Sequence, residues 1–138
     1  MSNPSSPSPE RWAHLDPYER KYVRKVIIAY DEILQLTEDV PTIARRYNVS
    51  IEAVQRAKDY AFGSGVSRHQ FLPDEDMAAA WNRMASGQGI DIDEVFFNHE
   101  VFESNLVIHQ DMTVDDAHTL AQAQYPWSEL LKQKRRNE

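Results

Sequence analysis

The chain has 138 residues, of which 41% are apolar and 27% charged, the composition of one globular domain or of one domain with a small appendage. Cysteine is absent, so disulfides and thiolate metal sites are excluded and any metal must be held by His and carboxylates. The net charge of −7 is uneven: residues 18–68 carry nine Lys/Arg against seven Asp/Glu, and residues 69–138 carry five against thirteen, a poor surface for nucleic acid.

No run approaches the roughly 18 apolar residues of a membrane span, and "MSNPSSPSPE" lacks the basic and apolar regions of a signal peptide. The expectation is a soluble protein with no membrane partner, cytoplasmic or delivered as part of a larger carrier. Residues 1–12, rich in Ser and Pro, read as a flexible tail or as a linker to something upstream.

Asp16-Pro17 is an N-cap followed by proline at the first helical position, and "PYERKYVRKVIIAYDEILQL" continues with Tyr22, Val23, Val26, Ile27, Tyr30, Ile33 and Leu34 at helical spacing. "VPTIARRY" reads as a short helix starting near Pro41. "NVS" reads as a turn ending in the N-cap Ser50, and "IEAVQRAKDYAF" as a helix closed by Gly63. A loop, "GSGVSRHQFLP", leads to the cap Asp74 and a helix through "EDMAAAWNRMAS", broken by Gly87 and Gly89. Another helix is expected from about Ile92 to Ile108, and a further one from the cap Thr113 to about Gln124. After Pro126, "WSELLKQKRRNE" reads as a short helix fraying into a basic tail.

No stretch alternates at period two, so the expected fold is all-α, a compact bundle of about six helices. Its organisation reads as a helix-turn-helix-like segment over residues 13–65, a His/Glu-bearing helical segment over 66–131 packed on it as one domain, and a basic tail over 132–138.

"TIARRYNVSIEAVQRAKDYAF" has helix-turn-helix spacing: Ile43, Ala44 and Tyr47 pack from the first helix, Val49 fills the turn, and Val54 and Ala57 pack from the second. Read as a DNA reader, it presents Ser50, Glu52, Gln55, Arg56 and Asp59, two of them acids facing phosphate. Read as packing, it leaves Arg45, Arg46, Arg56 and Lys58 as a solvated face.

The second candidate lies in "FNHEVFES". The stripe Ile92, Phe96, His99, Glu103, Leu106 faces the core, and His99 and Glu103, four apart, stand a turn apart on one face. The stripe Val114, Ala117, His118, Ala121, Tyr125 on the next helix again sets a histidine among core residues. A buried, ionised Glu103 is costly without compensation. Two histidines supply it; a divalent metal does so better, with His99, His118 and Glu103 as a two-His, one-carboxylate set leaving a position for water. Glu100 then stands as general base on that water. The alternative is a hydrogen-bonded polar core with no metal.

His69, in the loop before the acidic cap, is a further catalytic candidate. It or Asp115 would orient substrate or support a ligand. His109 and His14 have no partner legible in the sequence, and Trp81 and Trp127 read as core or lid aromatics.

Together, "RHQFLPDEDMAAAWNRMASG", "DEVFFNHEVFESNLV" and "TVDDAHTLAQAQYPW" resemble the C-terminal toxin-like domains of bacterial polymorphic toxins and phage head-morphogenesis-associated proteins. The recurring pieces fall on His69, Phe71, Asp74, Asp76, Ala79, Trp81, His99, Glu100, Glu103, Ser104, Ala117, His118 and Tyr125, within about residues 66–127. The resemblance implies a delivered effector domain whose His and Glu residues form an active site. Glu103 stands where a standard zincin has its second His, which counts against ordinary peptidase chemistry.

The expected function is therefore a toxin-like, zinc-dependent hydrolase acting on a peptide or nucleic acid, with an immunity protein as a potential partner. The other expectation is a non-enzymatic helical module that binds DNA or protein and uses the His/Glu cluster as a core network.

Overall fold

The computed structural model describes residues 15–63 and 73–137, which form seven helices and no strand among the described residues. In chain order they are α1 (Pro17–Gln35), α2 (Asp39–Tyr47), α3 (Ile51–Phe62), α4 (Glu75–Ala85), α5 (Asp91–His109), α6 (Val114–Gln124) and α7 (Trp127–Arg136). None of them is long and apolar enough to cross a membrane.

The caps follow the sequence. Asp16, Ser50 and Thr113 each accept from the backbone N–H three residues on, at 2.8, 3.1 and 3.2 Å, satisfying donors that the first helical turn leaves orphaned. Asp74 accepts from the Asp76 N–H, two residues on, at 2.8 Å. The start of α5 is held differently: Asp93 reaches back to the Ile90 N–H at 3.1 Å while pairing bidentately with Arg83 at 2.7 and 2.8 Å. Asn48 closes α2 in the left-handed conformation (φ 54°). At Gly63 a Cβ would meet the Asp59 carbonyl oxygen at 2.3 Å, so the helix end there requires glycine.

Helix α5 is the central element, packed against α3, α4, α6 and α7, while α1 and α2 close over α3 and α4. The core runs through Ile33, Ile43, Val54, Phe62, Trp81, Met84, Phe96 and Phe97. Aromatic edges link it: Tyr30 to Phe62 at 4.9 Å, Phe62 to Trp81 at 5.5 Å, and Phe96 to Trp127 at 4.9 Å between centroids. Both Trp81 and Trp127 are therefore core residues.

The helix-turn-helix packing is present: Ile43, Ala44, Val54 and Ala57 are buried and Val49 is half-buried. The solvated basic face is not, except at Arg45 and Arg46. Lys58 is 3% exposed, its Nζ between Asp39 (2.9 and 3.2 Å) and the Leu36 carbonyl (3.0 Å), and Trp81 donates to the same Asp39 at 2.8 Å. Arg56 donates to Ser104 Oγ (3.0 Å) and the Val101 carbonyl (3.1 Å), because α5 packs on that face of α3. The basic residues after Leu131 continue α7 through Arg136 rather than leaving it as a tail.

A candidate metal centre on two helices

The middle of α5 brings His99, Glu100, Glu103 and Ser104 into the protein interior, because four helices pack around it and leave only a half-buried strip at Asn98, Val101, Phe102 and Asn105. Glu103, 2% exposed, is the hub. Its Oε1 lies 3.0 Å from His99 Nε2, one turn back, and 2.9 Å from His118 Nδ1 on α6. Its Oε2 accepts a short hydrogen bond from the Tyr60 hydroxyl on α3. Burial alone would raise the Glu103 pKa, but the bonds from His99, Tyr60 and His118 outweigh it and hold the group below the ordinary carboxylate value.

His99 is oriented from both ends. Its Nδ1 lies 3.1 Å from the Tyr125 carbonyl at the end of α6. A carbonyl oxygen only accepts, so Nδ1 carries the hydrogen and donates it. Nε2 faces the Glu103 carboxylate, a second acceptor. With no cation present the ring satisfies both only as imidazolium. Burial opposes that charge, yet the Glu103 bond, the Glu100 charge and the Tyr125 carbonyl together raise its pKa.

The ligand-capable atoms of His99, Glu103 and His118 lie within 4.8 Å of one another, and the two imidazoles meet edge to face at 5.4 Å. His118 departs from its core expectation: its side chain is 44% exposed, so the cluster reaches the surface there. Helix α6 lies over α5 at its buried Ala117 and Ala121, and one residue beyond Ala117 the face already turns outward.

Glu100 is 6% exposed, and its Oε2 is the buried side-chain oxygen without a hydrogen-bond partner among the described residues. Burial pushes its pKa up to about 8, the Glu103 charge adds to the rise, and His99 opposes it. At neutral pH its carboxyl is largely protonated.

Of the expected site residues, the fold brings His99, Glu100, Glu103 and His118 together. His69, Phe71 and His14 lie outside the described residues. Asp115 is exposed one turn before His118, and Asp74 caps α4. Ser104 receives Arg56. Tyr60 was not legible as a site residue. On α3 it reads as one more aromatic, and only its pairing with Glu103, 43 positions away, reveals it.

Comparison of the chain with protein-family models, with curated proteins and with solved structures returns no match.

Proposed function

We propose that the chain is a metal-dependent hydrolase, a toxin-like effector domain in which His99 Nε2, His118 Nδ1 and Glu103 hold one zinc ion. The observation that carries this is the orientation of His99. With Nδ1–H given to the Tyr125 carbonyl, a divalent ion at Nε2 lets the ring be neutral and satisfied at both nitrogens, the usual environment of a metal-bound histidine. Two nitrogens and one carboxylate oxygen are a donor set that suits zinc and leaves room for water. When bound, zinc would act as a Lewis acid and lower the pKa of such a water.

Glu100 then serves as the proton carrier of the site. Its Oε2 has no hydrogen-bond partner among the described residues, and a bound divalent ion would lower the pKa from its metal-free value of about 8 toward the ionised state that a general base needs. The half-exposed His118 is where substrate meets the cluster. The charges count against a nucleic-acid substrate: α5 and α6 carry seven Asp/Glu and no Lys or Arg, so a phosphate backbone finds no counter-charge on the helices that supply the ligands. The effector context rests on the resemblance of residues 66–127 to toxin-like domains.

A second reading has its own support. Glu103 already receives three hydrogen bonds, which makes a satisfied polar network with no ion. Its DNA-binding form has little, because on α3 Lys58 is buried, Arg56 is bound to α5, and the exposed residues include Glu52 and Asp59.

Elemental analysis of protein purified without a histidine tag separates the two. About one zinc per chain, lost in His99→Ala while the helical circular-dichroism spectrum persists, is the expected result. Folded wild type that takes up no zinc even on titration would leave the network reading.

A further inference from the structure

We infer that Tyr60 is a positioning residue that makes Glu103 a one-oxygen ligand, an inference that rests on the metal-centre reading above. The two oxygens of Glu103 face opposite partners. Oε1 lies between the two imidazole nitrogens, at 3.0 and 2.9 Å, so it belongs to the ligand cluster. Oε2 is turned to α3 and accepts the Tyr60 hydroxyl. A carboxylate free at both oxygens can chelate a cation with both, adding a fourth protein donor and crowding the place where water or substrate would bind as a fifth. The phenol prevents this by occupying Oε2, and Tyr60 is 5% exposed, so water does not compete for the bond.

Tyr60 is itself held. It lies on α3 one turn after Arg56, whose guanidinium is fixed to Ser104 and the Val101 carbonyl of α5, and two residues after Lys58, fixed to Asp39. These anchors on neighbouring turns set the register of α3 against α5 and carry the phenol to Glu103. The helix-turn-helix-like unit thereby becomes part of the site: its second helix supports a ligand. Groups hydrogen-bonded to metal ligands in this way typically contribute about 10–100-fold to metal affinity.

Cobalt(II) in place of zinc makes the coordination number visible. The expected result is that wild type binds cobalt with the intense visible absorption of a four-coordinate ion. In Tyr60→Phe that absorption weakens toward the five-coordinate form and the affinity falls about 10–100-fold. A folded Tyr60→Phe protein with the wild-type spectrum and affinity overturns the assignment. Wild type that binds no cobalt overturns the metal-centre reading and this inference with it.

Should Tyr60→Phe fail to fold, proton NMR of wild type carrying ¹³C-labelled tyrosine decides. The Tyr60 hydroxyl proton should stay far downfield in both the metal-free and the zinc-loaded protein. Its loss on zinc loading would mean that both Glu103 oxygens turn to the metal, against the assignment.

Discussion

Replacing Glu100 with Gln puts a neutral amide where the structure holds a largely neutral carboxyl, and the consequence is a change in how stability depends on pH. In metal-free protein the folded-state pKa is about 8, against the model value of 4.5 for an exposed glutamate. Below the lower value both states hold the proton and the group contributes its full stability. Between the two, only the folded state keeps it, so stability falls as pH rises. The gap, at about 1.4 kcal/mol per pH unit, sets a ceiling of about 5 kcal/mol on the loss by pH 8. His99, also raised, contributes in the same direction, and because the Glu100 charge supplies part of that rise, the difference between variant and wild type reports Glu100 together with its effect on His99. The amide adds a cost that does not depend on pH, about 1–3 kcal/mol if one of its donors stays unpaired. The observable is therefore slope: in urea titrations followed at 222 nm in EDTA from pH 4.5 to 8.5, Glu100→Gln should lose several kcal/mol less than wild type. Parallel curves would show that Glu100 ionises in the folded state as it does in the unfolded chain, and would refute the account of its burial.

The pair between Lys58 and Asp39 is closed from solvent, with side chains 4% and 1% exposed. Asp39→Ala leaves an ammonium with the Leu36 carbonyl alone and should cost about 3–5 kcal/mol, whereas Asp39→Leu combined with Lys58→Met should recover most of it. A loss under about 1 kcal/mol in urea denaturation would place the pair in the surface class instead. Arg56→Ala removes two hydrogen bonds to α5 and should cost about 1–3 kcal/mol while leaving retention on immobilised random DNA unchanged; a large drop in retention would return Arg56 to a phosphate contact.

Local chemistry made the elements legible. Asp16, Ser50, Asp74 and Thr113 are caps in the structure as they are in the sequence, and the helices they open begin one residue later. Where no side chain of that kind caps the helix, the boundary is less sharp in the sequence: α2 starts at Asp39, two residues before Pro41, near which the sequence places its start. The His99 and Glu103 face was legible because four-residue spacing on a helix is geometry. What lay beyond was set by packing. Periodicity separates a wet face from a dry one, and α5, packed against four neighbours, keeps only a narrow half-buried strip in its middle, so the pattern gave no sign that Glu100 is buried as deeply as His99. Lys58 looked solvated for the same reason: its partner Asp39 is 19 positions away on another helix. Tyr60 and the Tyr125 carbonyl were out of reach altogether, since hydrogen bonds between distant segments leave no periodic trace.

The two buried polar groupings differ in a way that bears on function. Around Asp39 the carboxylate is matched by Lys58 and Trp81, the remaining ammonium donor has the Leu36 carbonyl, and the site is shut from water. That is what a network kept for structure requires, because each unpaired buried group would cost more than the network contributes. The grouping around Glu103 is left open at two points. His118 brings solvent to one edge of it, and Glu100 carries an oxygen with no partner inside it. An apolar residue in place of Glu100 would remove the unpaired oxygen and leave the three bonds on Glu103 in place. Leaving that oxygen unpaired costs stability, a cost that the proposed metal centre would account for, since such a site uses an exposed ligand for entry and a carboxyl able to exchange its proton.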